Sequence, residues 1–432
     1  MQRVLVIDRH KQPLMPCHPA RARELLRDGK AAVYRRFPFT VILTDRENGD
    51  VQSVAFKVDP GSKQTGIALV ADFKRGKRVI WAAVLEHRGR QIKDALESRR
   101  ALRRSRRNRH TRYRAPMFDN RRRPSGWLPP SLQSRVENVL TWLCRLNRAC
   151  PLDSVSQELV RFDTQLLQNA EISGVEYQQG ELVGYEVREY LLEKWQRTCA
   201  YCGAKDMPLE IEHITPKTRG GSNRVSNLTL ACHHCNQKKG TQTAAEFGFP
   251  EVQKRAKQPL KDATAVNASR WALYHRLKTT GLPVEIGTGG RTKSNRTQQA
   301  YPKAHWIDAA CVGESGDRVH IVPDHIALHI KATGHGSRQM CRTDAYGFPI
   351  RYRLPQKRHF DFQTGDMVKA NVLSGKYSGR HIGRVACRAT GSFDIKTDYG
   401  KVTVNHKTCQ IIHRSDGYTY YRKEEQRLPP QP

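Results

Sequence analysis

The stretch FKVDPGSKQTGIALV, residues 56–70, reads as a strand, a tight turn and a second strand, with Asp59 where the first strand ends and Gly61–Gly66 forming the hairpin. A carboxylate at a strand end is a common turn former, so this motif alone specifies no chemistry. Two distant segments change its meaning. In SQELVRFDTQ, from Ser156, Glu158 interrupts a short apolar strand, and Asp163 is a competing carboxylate ranked behind it. In AHWIDAACVG, from Ala304, His305 and Asp308 are three residues apart, so one helix face presents both. Several carboxylates around one or two Mg²⁺ ions are what two-metal phosphodiester cleavage requires.

Between the second and third segments lies a different module. Residues 199–240, CAYCGAKDMPLEIEHITPKTRGGSNRVSNLTLACHHCNQKKG, hold Cys199/Cys202 and Cys232/Cys235 as two CxxC knuckles. Four thiolates suit a closed, tetrahedral, structural Zn²⁺ site that staples a module too small to build its own core. Catalysis must then use other groups. Glu212 and His213 lie between the knuckles, Asn227 follows a Gly-Gly loop, and Asn236 follows the second knuckle. A hard Mg²⁺ takes oxygen ligands, here Glu212 and Asn236, and His213 would be the general base that activates water. His233 and His234 could compete as zinc ligands but read as surface or DNA-facing residues.

The charge indicates a partner. The 432 residues hold 75 Lys and Arg against 41 Asp and Glu, a net charge of +34, which favours a polyanion. The densest segment is ESRRALRRSRRNRHTRYR, Glu97–Arg114, with nine arginines in eighteen residues: Arg99, Arg100, Arg103, Arg104, Arg106, Arg107, Arg109, Arg112 and Arg114. As a helix it would span about 27 Å, roughly one turn of a duplex. Its arginines would cover most of the circumference, which suits burial between nucleic-acid strands, where Arg binds phosphate bidentately and stacks on bases.

No stretch approaches eighteen consecutive apolar residues, so no membrane span is expected, and MQRVLVIDRH does not read as a signal peptide. Eleven cysteines, seven of them scattered singly, suit a reducing compartment; the expected location is cytoplasmic, with association to the nucleoid when bound to DNA. Coarse reading gives strands at Val4–Ile7, Val41–Thr44, Ser53–Val58, Ile67–Ala71, Val79–Leu85, Val155–Val160 and Leu209–Ile214. After Val4–Ile7 comes a loop, then a helix from about Pro19 to Asp28 closed by Gly29. Further helices are expected over Ser131–Cys150, Tyr185–Trp195 and Ala265–Lys278, and from His305. GTGGRTKSNRTQQ, from Gly287, reads as a polar basic loop, and alternating short strands after Gly313 suggest a small β-barrel or curled sheet.

The 199–240 module resembles the HNH nucleases, whose ββα-metal fold cleaves phosphodiesters. By that resemblance His213 is the base, Asn227 orients the loop carrying it, and Asn236 is a metal ligand. Many such modules have Asp where this chain has Glu212. The three carboxylate segments resemble the RuvC nucleases, an RNase H-like fold, which implies Asp59, Glu158 and Asp308 as Mg²⁺ ligands and His305 as base or partner of the metal site.

Together with QPLMPCHPARARELLRDGKA near the N-terminus, which matches a PLMP domain, and with RYR, WLPPSLQSR, GVEYQQGEL and GYEVREYLLEKW, these pieces resemble the transposon-encoded IscB nucleases, compact relatives of the CRISPR type II effectors. The resemblance implies an α/β multidomain chain: a PLMP domain at 1–50, RuvC parts at 51–90, 125–185 and 251–313, an arginine-rich bridge helix at 91–124, the HNH module at 186–250 and a C-terminal β domain at 314–432 that contacts RNA and a target-adjacent motif. It implies an RNA-guided double-strand DNA endonuclease, monomeric within a ribonucleoprotein, using a structured guide RNA (ωRNA). HNH would cut the guide-paired strand and RuvC the displaced one. An RNA-independent junction or homing nuclease, and a non-catalytic RNA-guided binder, are the alternatives.

Overall fold

A computed structural model describes residues 2–111, 113, 126–159, 183–205, 207–258, 263–335, 340–346, 348–353 and 355–422. Arg112, Arg114, Asp163 and the GVEYQQGEL segment therefore lie outside the described residues. The chain divides into two units, one of residues 1–54, 80–152 and 322–427, the other of 55–79, 153–321 and 428–432. Among the described residues, no helix is long and apolar enough to cross a membrane.

In the second unit the motif around Asp59 forms the strand, turn and strand read from its sequence. Val54–Pro60 and Gln64–Phe73 are neighbouring strands joined by a three-residue turn, and the apolar side chains Phe56, Val58, Ile67 and Leu69 are fully buried. Ser154–Glu158 runs parallel to Val54–Pro60, with Val58 opposite Gln157, so Asp59 and Glu158 emerge at the same end of adjacent strands. Val284–Gly287 extends the sheet in parallel beyond Ser154–Glu158. Strands from distant parts of the chain are thus aligned by long-range pairing, which no local pattern encodes.

The helix His305–Ala310 packs on Gln64–Phe73. Gly66 allows that approach: a Cβ there would lie 1.8 Å from the His305 carbonyl oxygen, so any larger residue would push the helix off the sheet. Buried Trp306, Ile307, Ala309 and Ala310 face the packing side.

Residues 287–299 are not a loop. Gly289–Gln298 is a helix, capped by Thr288, whose hydroxyl accepts from the Arg291 amide. Its buried side chains include Thr292, Asn295 and Arg296, so its inner face is polar and leaves no hydrophobic period to read. Asn295 Nδ2 donates to the carbonyls of Cys311 and Gly313, tying this helix to the end of His305–Ala310.

The 199–240 module, in the same unit, is a ββα hairpin-and-helix. Leu209–His213 pairs antiparallel with Leu228–Cys232, and His233–Lys239 follows. Its apolar cluster includes Trp195, Leu209, Leu228, Leu230 and Val252.

The first unit holds a four-stranded sheet in the order Pro13–Cys17, Val4–Ile7, Thr40–Leu43, Ala31–Arg35, with the helix Pro19–Arg27 on its core. Pro13–Cys17, expected as part of a loop, is an edge strand, where prolines lacking an N–H are tolerated. The helix Pro130–Asn147 buries Val136, Val139, Leu140, Leu143 and Leu146, as its spacing predicts, together with Trp142, while Leu132 in its first turn is only half-buried. Gly76–Glu86 begins in the other unit; its later residues pair in parallel with Leu328–Ala332, which pairs antiparallel with Tyr418–Tyr421. Of the remaining C-terminal strands, Cys341–Thr343 pairs with Pro349–Tyr352 and Arg358–His359 with Phe362–Gln363, and five others form an antiparallel sheet in the order Gly400–Asn405, Ser392–Thr397, Gly379–Ala386, Met367–Val372, Cys409–His413. Among the described residues no pairing joins its two edges, so it is an open sheet rather than a closed barrel.

Candidate metal centres and nucleic-acid interface

Asp59, Glu158, His305 and Asp308 converge at the strand ends just described. His305 Nδ1 lies 3.9 Å from Asp59 Oδ2, and Arg270 Nη2 lies 3.1 Å from Glu158 Oε1 and 3.9 Å from Asp59 Oδ1. Arg296 Nε forms an ion pair with Asp308 Oδ1 at 2.8 Å. Glu158 is only 8% exposed.

Burial, with the Asp59 charge beside it, pushes Glu158 up to about 8 against the pull of Arg270. Burial and Asp59 likewise push Asp308 up to about 6, and Asp59 raises His305 above its ordinary value. Crowded carboxylates that resist ionisation are short of positive charge. Their oxygens suit a hard cation such as Mg²⁺, and the site fits that group by its chemistry.

The cysteines fit a metal more directly. Among the described residues, Cys199, Cys202, Cys232 and Cys235 form the group whose ligand atoms all lie within 4.8 Å of one another; the carboxylates do not come that close. Burial would raise Cys199, but amide hydrogen bonds from Cys202, Cys232 and Tyr201 bring it down to about 7. Cys202 is raised, and burial with the neighbouring thiols pushes Cys235 up as well, so what fits Zn²⁺ is the clustering of four sulfurs, the ligand set of a closed site.

The structure does not bring Glu212 and Asn236 together. Glu212 is buried and accepts from Tyr201 Oη and Lys239 Nζ, each at 2.7 Å. Asn236 Nδ2 donates instead to Glu210 at 2.6 Å, and Glu210 also contacts His233 Nδ1 at 2.9 Å. The donor pair expected for Mg²⁺ in this module therefore does not fit the arrangement seen. Glu210 and Glu212 are two apart on one strand and share a face, so spacing alone does not decide which of them Asn236 meets.

His213 is half-exposed, with Nε2 2.9 Å from Asn223 Oδ1. Asn227 ties the loop after it: Oδ1 accepts from the Thr215 amide, and Nδ2 donates to the carbonyls of Thr215 and Ser222. Lys239 Nζ donates to the His213 carbonyl at 2.9 Å. His234 is exposed, as is His233, which sits on Glu210.

The arginine segment forms the helix Gly89–Asn108, beginning eight residues before the run and ending within it. Arg99, Arg100, Arg103, Arg104 and Arg109 are exposed and Arg106 and Arg107 half-buried, while Leu96 and Leu102 also face solvent. A helix with so little apolar burial presents a cationic rod to a partner.

Arg270, Arg296, Lys239 and Glu210 are not among the residues that sequence reasoning singles out. In a chain with 75 Lys and Arg no local signal separates an internal counter-ion from a surface charge.

Residues 199–242 match the family model described as HNH endonuclease, and residues 4–180 match that described as RRXRR protein. The chain thus carries an HNH endonuclease module together with an arginine-rich RRXRR region. No similar protein was found among curated proteins. Solved structures with some likeness include Streptococcus thermophilus Cas9 in complex with the GGAA PAM (11% identity, TM-score 0.23, covering 60% of this chain and 32% of that one). The same Cas9 with the AGAA PAM has 11% identity and TM-score 0.22, again with 60% and 32% covered. The type II-C Cas9 of Actinomyces naeslundii has 18% identity and TM-score 0.15, with 42% and 31% covered. The chain spans about a third of the length of these proteins. At such TM-scores the likeness supports no statement about fold or activity.

Proposed function

We propose that this chain is an RNA-guided DNA endonuclease of the IscB type, working as a monomer within a ribonucleoprotein. The observation that carries the reading is an exposed, arginine-covered helix in the same chain as an HNH endonuclease module and a separate cluster of carboxylates around buried Glu158. A hydrolase for a free small molecule has no use for such a rod. A long structured RNA does, because its phosphates neutralise the arginines from several sides. Base pairing then reads the target, and the protein reads backbone and shape.

In the HNH module His213 is the general base for the guide-paired strand. With Nε2 donating to Asn223, Nδ1 is the nitrogen that takes the proton of the attacking water. Asn227 and Lys239 fix the backbone on either side of it. The cysteine tetrad holds a structural Zn²⁺. Asp59, Glu158 and Asp308 would hold Mg²⁺ for the displaced strand, in a RuvC-like centre with His305 at its edge. When bound, that cation supplies charge stabilisation for phosphodiester hydrolysis. The C-terminal β region contacts RNA and a short target-adjacent motif.

The test uses protein reconstituted with its guide RNA and a strand-labelled plasmid. Asp59→Ala should abolish cutting of the displaced strand alone, and His213→Ala that of the guide-paired strand alone. Cleavage that ignores a change of guide would instead make the enzyme an RNA-independent nuclease.

A further inference from the structure

The carboxylate centre already contains a cation. Arg270, on the helix Ala263–Lys278, is 9% exposed, and its guanidinium is anchored rather than free: Nε donates to the Pro60 carbonyl at 3.0 Å. The backbone is pinned as well, since Gln157 Nε2 donates to the Arg270 carbonyl at 2.9 Å. Each anchor sits next to a carboxylate, Pro60 after Asp59 and Gln157 before Glu158. From that hold Nη2 reaches Glu158 Oε1 at 3.1 Å, with Asp59 Oδ1 at 3.9 Å.

A divalent cation ligated by Glu158 would sit about 2.0–2.1 Å from its oxygen. A guanidinium cannot keep its hydrogen bond to the same carboxylate edge at full strength while facing a second, doubly charged cation. Where the cation takes Oε1, the oxygen that Nη2 now holds, the guanidinium is displaced.

Resting on the metal-dependent reading of this centre, we propose that Arg270 is its built-in counter-ion. Without metal its guanidinium sits between Glu158 and Asp59 and holds their strand ends together. On metal binding it releases Glu158, while Nε stays on the Pro60 carbonyl. Arg270 is thus a positioning residue that competes with the cation and sets how readily the centre loads. It keeps the carboxylates assembled in the metal-free protein, which like charges in a buried cavity would otherwise oppose.

The two possible roles of such an arginine predict opposite signs. If it only props the site, removing it lowers metal affinity. If it competes, removing it raises affinity while destabilising the metal-free protein. The experiment is a Mn²⁺ titration of the full-length chain by calorimetry at pH 8.5, where protons compete less for the carboxylates. The component of binding abolished by Asp59→Ala is the one measured.

Arg270→Gln should tighten that component about tenfold, within the usual range of site coupling, and should enlarge the rise in melting temperature that Mn²⁺ produces. Arg270→Lys should fall between, because an ammonium keeps the charge but cannot hold Pro60 and Glu158 at once. Equal or weaker affinity in Arg270→Gln overturns the inference and leaves the nuclease reading intact. If Arg270→Gln does not fold, wild-type affinity in Arg270→Lys overturns it equally. Absence of any Asp59-dependent Mn²⁺ binding in the wild-type chain overturns both.

Discussion

Lys239 Nζ lies 2.7 Å from Glu212 Oε1, and the two side chains are 0% and 6% exposed. The residue expected to face a metal is therefore one half of a buried ion pair, completed by Tyr201 and bonded through Lys239 to the carbonyl of His213. Removing one partner of such a pair strands the other in a dry environment. Lys239→Met should cost the module about 3–5 kcal/mol, read by chemical denaturation, whereas the double change Lys239→Met/Glu212→Leu should recover much of it. If the single change proves neutral, the pair is not the internal prop described.

Zinc removal addresses the cysteine tetrad. Cys199→Ser or Cys232→Ser should release one Zn²⁺ per chain, measured with a chromogenic chelator, and should expose the ββα module to protease. The cause is that metal binding in such a site is folding free energy. Retention of stoichiometric zinc by both variants would remove the structural-site assignment.

Asn227 makes three hydrogen bonds to the loop behind His213. Asn227→Ala leaves those backbone groups unpaired, each at a cost of about 1–3 kcal/mol where buried. The guide-paired strand should be cut at least about tenfold more slowly, since 1.4 kcal/mol is a factor of ten, with the displaced strand cut at the normal rate. A parallel fall in both rates would place the effect outside the His213 loop.

Arg99, Arg100, Arg103 and Arg104 are exposed, so changing all four to Gln should leave the melting temperature of the RNA-free protein within a degree or two. RNA affinity should fall, and the slope of log K against log salt should lessen by about 0.7–0.9 for each phosphate no longer neutralised. An unchanged slope would mean that the helix does not touch the backbone of the bound RNA.

Asp416 accounts for an acid sensitivity. Burial opposes its ionisation, but contacts from His413, Tyr420 and Arg145 prevail and bring it down to about 2. A depressed carboxylate contributes stability that is present above its unfolded value near 4 and lost as pH falls toward 2. The contribution is about 2 kcal/mol. Asp416→Asn should flatten the fall in stability between pH 5 and 2 relative to wild type; identical profiles would exclude the pair with Arg145, which is 2.7 Å away.

Much of this was open to reading along the chain, because its causes are local. Short apolar runs on either side of a glycine turn mark the strands around Asp59, helical spacing marks Pro130–Asn147, and the CxxC pairs mark a tetrad because knuckle geometry needs only a few residues. What tertiary structure alone decided is which side chain stands opposite which. Parallel pairing set Glu158 beside Asp59, and a helix more than a hundred residues further on delivered Arg270 to both. Thr288–Gln298 hid its helix because its buried face is polar. The choice of Glu210 over Glu212 for Asn236 turned on where Lys239 ends the following helix. Charge in a sequence is a sum; in the fold it is a set of distances. With +34 spread along the chain, only the distances separate a counter-ion from a binding surface.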